Sequence, residues 1–273
     1  MAEKFKDLKY LVRLLDDDDP EVYRVVRSEI KKYGAPVLPE LKKAWNNAGS
    51  ILLYNRIEQL IREINLDTYK SKFLTWLGSR ERSFINGLVL LNRMYNSDVA
   101  EKDIYEHLDS IVKDIWLELN NNLTPLEKIN IVNHFLFSVS GFEVEKNIEE
   151  HNHFIYRVLF YKKTNEVSAA ILYFYVCEQL NIDVVPVMVN NRILLGYRSP
   201  GFWGGDASKV IFLISPEARG NVFSAESVDF SEGKPEDLIK YWLTAAIVML
   251  KEKDDIFASE YRSLLKNLIK AGV

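Results

Sequence analysis

The chain has 273 residues, of which 48% are hydrophobic and 27% charged, proportions typical of a globular protein that buries a substantial core. The formal net charge of −4 argues against wholesale electrostatic binding to nucleic acid or to acidic membranes. A single cysteine, Cys177, excludes an intrachain disulfide and any metal site built from several cysteines.

The N-terminal sequence MAEKFKDLKY is too highly charged for a signal peptide. The longest apolar run, residues 241–250, is far shorter than the roughly 20 residues that a membrane-spanning helix requires. We therefore expect a cytoplasmic protein that does not associate with membranes.

Residues 5–46 alternate helical apolar stripes with stop signals, and Asp19 followed by Pro20 is a typical helix start. The sequence LVRLLDDDDPEVYRVVRSEIKKYGAPVLPEL resembles a HEAT-type helical pair. Stable arrays of such repeats need about three units, and only one pair and part of another are visible. We therefore predict a HEAT-like helical cap over residues 1–66. The acidic run Asp16–Asp19 is interpreted as a solvated turn and helix cap, because a cation-binding loop needs regularly spaced ligands and a glycine turn.

The segment 51–142 is predicted to be helical throughout. Asn, Asp and Gly residues, together with the Thr124–Pro125 start, divide its apolar stripes into pieces of helix length. The predicted helices are 50–64, 67–77, 83–95, 102–120 and 125–138.

In the stretch that begins at residue 151, the apolar pattern is first helical and switches to alternation where the strands begin. A short helix and a turn at Thr164–Asn165 precede an apolar helix at 166–180. A glycine-rich loop that carries Phe202 and Trp203 separates the second and third of the strands that follow, and two amphipathic helices come last. The predicted strands are 184–189, 193–197 and 210–214, and the predicted last helices are 236–251 and 255–271.

The order of helix and strands is accompanied by a series of short motifs: Arg157-Val158-Leu159, Thr164 to Ala170, Leu172-Tyr173, Asn181, Val187 and Asn190 to Leu194. Together they resemble the core of the transglutaminase-like superfamily, and more closely its bacterial Sir-B-type branch. In that branch the segment has the form R-V-L, G-x-P-x-S-L-A, L-Y, G, V and P-x-H-F-L-x-R. Over roughly residues 72–232, the resemblance implies an α+β fold, mostly helical with a small antiparallel sheet of three or four strands, that is, a degenerate transglutaminase-like (papain-like) core. We accordingly expect this domain at 67–232 and a C-terminal helical pair at 233–273.

A site of this superfamily uses a cysteine at a helix N-terminus, a histidine on a neighbouring strand and an aspartate or asparagine on the next. The helix end lowers the thiol pKa, the histidine pairs with the thiolate, and the third residue orients the imidazole. The resemblance places Glu166, Arg192 and Ser215 at these three positions. A carboxylate is not an activated nucleophile for acyl transfer, and a guanidinium cannot act as a general base. We therefore expect the catalytic triad to be absent.

Other residues could in principle supply chemistry. Cys177 lies in the middle of the apolar helix and is expected to be buried and unreactive, while Ser168 in the first turn is expected to bond to nearby backbone. His151 and His153 are a weak metal signal without further ligands, so no metal or cofactor is expected. The alternative left open is a hydrolase or acyl transferase with a rearranged site, in which Cys177 or Ser168 is the nucleophile.

The leading hypothesis is a non-catalytic member that binds or scaffolds a protein or peptide partner, and not nucleic acid. Its sharpest prediction is that Glu166 and Arg192 face each other and form an ion pair, with N···O of about 4 Å or less. The residues expected to form the binding surface are Glu166, Ser168, Arg192, Tyr197, Trp203 and Ser215.

Overall fold

The structure is a computed structural model that describes residues 5, 7–96, 99–190, 192–198, 209–226 and 228–272. The chain divides into two compact units. The first contains residues Met1–Arg80 and Arg93–Asp98, and the second contains Glu81–Asn92 and Val99–Val273.

The first unit consists of helices packed on one apolar cluster, to which fully buried Leu15, Ile30 and Leu41 belong. Asp19 caps the second helix by accepting a hydrogen bond from the N–H of Glu21 at 2.8 Å, which confirms the interpretation of the acidic run as a turn and cap. Its elements are α1 (Leu8–Leu14), α2 (Pro20–Lys32), the 3-10 turn Ala35–Val37, α3 (Leu38–Asn46) and α4 (Ile51–Gly78).

Helix α4 corrects the prediction of two helices at 50–64 and 67–77, because it runs unbroken through Asn65 and Asp67. Asn65 is buried, and the neighbouring Thr68 hydroxyl donates to the carbonyl of Ile64 at 2.6 Å. The low helix propensity of Asn and Asp amounts to well under about 1 kcal/mol each, so burial of the surrounding apolar residues outweighs it.

Helices also form most of the second unit. Helix α5 belongs to this unit as far as Asn92, and α7 is followed by a π-helical turn, His134–Val139. The helix predicted at 102–120 is four residues too long at its C-terminal end, whereas the helix predicted at 125–138 corresponds to α7 and the π-helical turn together. The helices are α5 (Phe84–Tyr95), α6 (Glu101–Trp116), α7 (Pro125–Asn133), α8 (Glu150–His153), α9 (Ile155–Tyr161), α10 (Glu166–Gln179), α11 (Pro235–Leu250) and α12 (Asp255–Lys270).

The second unit also contains an antiparallel sheet with the strand order β6-β5-β4-β3-β7. Strands β3 and β4 form a hairpin in which Val184 pairs with Tyr197 and Val189 with Arg192. A separate parallel pair, β1 with β2, precedes α10. The strands are β1 (Glu143–Val144), β2 (Lys163–Thr164), β3 (Val184–Val189), β4 (Arg192–Arg198), β5 (Val210–Ser215), β6 (Asn221–Ser224) and β7 (Ser231–Glu232).

The predicted class is confirmed: the protein is α+β, mostly helical, with a small antiparallel sheet. The sheet of the described residues has five strands rather than three or four, because β6 and β7 are too short to give an alternating signal. None of the helices in the described ranges is both long enough and apolar enough to cross a membrane.

Candidate functional site

The start of helix α10 is built by its own first residues. Asn165 is the N-cap, and its side-chain oxygen accepts hydrogen bonds from the N–H groups of Val167 and Ser168 at 3.0 and 3.1 Å. The Ser168 hydroxyl oxygen in turn accepts from the N–H of Asn165 at 2.9 Å, which completes a capping box. These short polar side chains thus satisfy backbone N–H groups at the buried start of α10.

Asn165 and Ser168 also bind the chain segment that precedes the helix. The Asn165 amide donates to the main-chain and side-chain oxygens of Asn152 at 3.0 and 3.1 Å, and the Ser168 hydroxyl donates to the Asn152 carbonyl at 2.6 Å. Asn152 reaches further, with its amide donating to a Glu145 carboxylate oxygen at 2.8 Å. This hydrogen bond is the main reason that the pKa of Glu145 lies below its usual value, and the bond from His151 adds to it. Asn152, Asn165 and Ser168 are all buried and form one connected network.

His153 extends this network to helix α11. Its ring stacks on Trp242 with centroids 4.9 Å apart, Nε2 lies 3.1 Å from the Trp242 carbonyl, and Nδ1 lies 3.2 Å from the Asn165 amide nitrogen. A carbonyl only accepts and an amide NH₂ only donates, so the imidazole is neutral with its proton on Nε2. Complete burial lowers the pKa of His153 to about 4, which is consistent with this neutral form. His153 therefore has a structural role and is not a free base.

Glu166 occupies the first turn of α10, where a helix N-terminus favours a negative charge. Its carboxylate accepts a hydrogen bond of 2.9 Å from the N–H of Ile193 at the beginning of β4. The first turn of α10 and the hairpin strand are thus adjacent, and they meet through the strand's backbone.

The predicted ion pair between Glu166 and Arg192 is wrong. Arg192 is exposed and lies 3.9 Å from the Glu217 carboxylate instead. Side chains alternate along a strand, so Arg192 points to the face of Leu194, and Ile193 points to the opposite face. Leu194 belongs to an apolar cluster with Val187 and Leu213. The alignment that assigned the histidine position to Arg192 loses its geometric support.

The other predicted site residues fall in different surroundings. Ser215 ends β5, where its hydroxyl oxygen accepts from the N–H of Ala218 at 3.3 Å and forms a turn. Glu217 lies in this turn, so Arg192 and the turn of Ser215 are brought together, but Glu166 is not part of that contact. Tyr197 is buried, and its ring packs at 6.3 Å from that of Phe212. Trp203 lies outside the described residues.

Cys177 is fully buried, which confirms the expectation that it is a core residue, and desolvation raises the pKa of its thiol strongly. Ser168 both donates and accepts hydrogen bonds in the capping network, so the expected backbone bonding is confirmed. No group of three or more His, Cys, Asp or Glu side chains that could hold a metal occurs within the described ranges.

A separate cavity of about 440 Å³ opens between α6 and α9 in the same unit. Two consecutive aromatic side chains at its edge are largely exposed, Phe160 at 78% and Tyr161 at 53%, with their rings edge to face at 5.0 Å. The lining residues are Val99, Asp103, Ile104, His107, Tyr156, Arg157, Leu159, Phe160 and Tyr161.

The sequence interpretation missed both this cavity and the network around Asn165. An Asn directly before an apolar helix, with a Ser three residues later, is a sequence signal for a capped helix start, and it could have identified Asn165 and Ser168. The sequence does not indicate the contact of His153 with Trp242, because the two residues are 89 positions apart.

Comparison with known protein families fits this geometry. The model Transglut_core2, described as Transglutaminase-like superfamily, matches residues 102–231, which is slightly less than half of the chain. Residues 102–231 form a transglutaminase-like domain. The superfamily expected from the sequence is thus confirmed for these residues, which include α10 and strands β3 to β6. Neither the curated proteins nor the solved structures gave a match.

Proposed function

We propose that the transglutaminase-like domain is a non-catalytic member of the Sir-B-type branch and acts as a binding or scaffolding module for a protein or peptide. The observation that carries this proposal is the position of Glu166. By the resemblance, Glu166 occupies the helix start where the superfamily has its nucleophile, and its carboxylate oxygen accepts a hydrogen bond from the N–H of Ile193. A carboxylate held in this way does not attack an acyl group.

The rival nucleophiles gain no support from their surroundings. Cys177 lies in mid-helix, eleven residues beyond Glu166 or roughly 16 Å along the axis, and its thiol pKa is raised rather than lowered. Ser168 is buried, and its partners are Asn152 and Asn165 rather than a base. Neither residue has the acid–base partner that nucleophilic catalysis requires.

A binding role is supported by the cavity between α6 and α9. Its volume of about 440 Å³ falls in the usual range of ligand sites, about 300–1,000 Å³. Exposed aromatic side chains such as Phe160 and Tyr161 are enriched at protein interfaces, where they contribute much of the binding energy. We therefore propose that the partner is a peptide or protein that inserts an apolar side chain here.

The non-catalytic assignment can be tested with cysteines placed at the two ends of α10. Glu166→Cys puts a thiol at the helix N-terminus, where its pKa falls, and the matched Glu178→Cys puts one at the C-terminal end of the same helix. With p-nitrophenyl acetate we expect wild type to show no turnover above background and Glu166→Cys to be acylated faster than Glu178→Cys. Turnover by the wild type that Ser168→Ala or Cys177→Ala abolishes, while circular dichroism stays native, would contradict the proposal.

A further inference from the structure

The first unit contains a groove that lies outside the transglutaminase-like domain. It has a volume of about 700 Å³ and runs between α1 and α3 beside the first turn of α4. Its floor is apolar and its rim carries charged and polar side chains. The groove is lined by Phe5, Leu8, Lys9, Val12, Arg13, Glu40, Lys43, Ala44, Asn47 and Leu53.

The charge on the rim is unbalanced. Lys43 pairs with Glu40 at 2.8 Å, but Lys9 and Arg13 form no ion pair with any residue that the structure describes. Lys9 and Arg13 are exposed and four positions apart, so they lie side by side on one face of α1. Two like charges at this spacing repel each other and destabilise an isolated helix.

Within the described residues, neither Asp7, which precedes α1, nor the acidic run that follows it forms an ion pair with these cations. Asp16 accepts a hydrogen bond from Ser50, Asp17 accepts from the N–H of Asp19 at 2.9 Å, and Asp19 caps α2. The acidic run is thus engaged in its own turn. The cationic edge of the groove remains available to a negatively charged partner.

We infer that this groove binds an acidic amphipathic helical segment of a partner protein. The groove offers an apolar floor, formed in part by Leu8, Val12 and Leu53, next to the positive edge of Lys9 and Arg13. An occupant therefore needs an apolar stripe flanked by carboxylates, and a helix with apolar residues at i, i+3, i+4 and i+7 presents this arrangement. Helix α1 has seven residues and is about 10 Å long, which matches about two turns of the occupant.

The complementary charges distinguish this occupant from others. Lys9 and Arg13 would repel a basic peptide. They are also too few for strong binding to nucleic acid, because the affinity depends on the number of phosphates that are neutralised. Such an interaction is electrostatically steered and weakens as salt is added. This partner site is independent of the function proposed for residues 102–231.

The test uses a fluorescein-labelled peptide of Leu and Glu, about three helical turns long, with Leu at i, i+3, i+4 and i+7. Fluorescence anisotropy with the full chain should show saturable binding that weakens with salt, and the same peptide with Lys in place of Glu should not bind. Charge reversal in Lys9→Glu/Arg13→Glu should reduce the affinity at least tenfold, and Lys9→Gln/Arg13→Gln should reduce it by less.

The matched control is Arg24→Glu/Lys32→Glu, which makes the same change in charge on exposed positions of α2 outside the groove. Its affinity should stay within twofold of the wild type. Circular dichroism of all variants should be native, because Lys9 and Arg13 are exposed.

Three results would overturn the inference: equal binding of the acidic and basic peptides, equal loss of affinity in the control, or no binding of the acidic peptide. Binding to vesicles of phosphatidylserine and phosphatidylcholine without binding to the peptide would assign the groove to lipid instead. Light scattering that shows a dimer dissociated by Lys9→Glu/Arg13→Glu would assign it to a second copy of the chain.

Discussion

Protonation of His153 should destabilise the protein in mildly acidic solution. Burial lowers the pKa of this imidazole from 6.5 to about 4, so the unfolded chain binds the proton at a higher pH than the folded protein. Above the unfolded-state pKa of 6.5 the imidazole is neutral in both states, and the free energy of unfolding has its full value. This free energy decreases as the pH falls towards about 4, because the unfolded state takes up the proton first. At 1.36 kcal/mol per pKa unit, the loss over this interval is about 3 kcal/mol.

The contribution of this residue can be isolated with His153→Gln, which removes the titrating group and keeps a side-chain amide that can donate to the Trp242 carbonyl. Urea unfolding at several pH values from 7 to 4 should show that the stability difference between wild type and His153→Gln shrinks by about 3 kcal/mol. The exposed Asn122, which carries no titratable group, provides the control, since Asn122→Ala should leave the pH profile unchanged. Parallel profiles for wild type and His153→Gln would refute the argument that His153 is buried in its neutral form.

Two further substitutions test the network and the cavity. Asn165→Ala removes the side-chain acceptor for the N–H groups of Val167 and Ser168 and the amide beside His153 Nδ1, so the free energy of unfolding should fall by about 2–4 kcal/mol. The exposed Asn122→Ala should change it by less than about 0.5 kcal/mol. An effect of Asn165→Ala no larger than that of Asn122→Ala in urea unfolding would contradict the network. Phe160→Ala should leave the free energy of unfolding within about 0.5 kcal/mol of wild type but weaken binding of the dye anilinonaphthalene sulfonate several-fold. The equally exposed Val248→Ala on α11 should leave dye binding unchanged, and equal titrations for both variants would remove Phe160 from the binding surface.

The apolar helix, the β3–β4 hairpin and strand β5 all lie within one or two residues of their predicted bounds. The sequence predicted these elements of the second unit well because each is a dense apolar run bounded by turn residues. The break expected at residues 65–66 does not exist, because local propensity is weak compared with the burial of Ile64 and Leu66 on either side of Asn65.

The candidate site was harder to predict than the fold. From the resemblance we expected Glu166 to lie close to the first residues of β4. The resemblance did not determine which face of the strand each side chain occupies. Glu166 contacts the backbone of Ile193, and the Arg192 side chain lies beside Glu217 instead. An alignment error of one residue is enough to cause this difference, because a shift of one residue on a strand moves a side chain to the opposite face. The network of Asn152, His153 and Asn165 depends on contacts between distant segments, which periodicity does not reveal.

We propose that the transglutaminase-like domain contains no reactive nucleophile. Intact-mass spectrometry of the native protein tests it directly, after incubation with iodoacetamide for thiols and with a fluorophosphonate for activated serines. We expect no adduct on the folded protein and rapid alkylation of Cys177 after denaturation, because the thiol is fully buried and its pKa is raised. A stoichiometric adduct on the native protein, mapped to Cys177 or Ser168, would contradict the account.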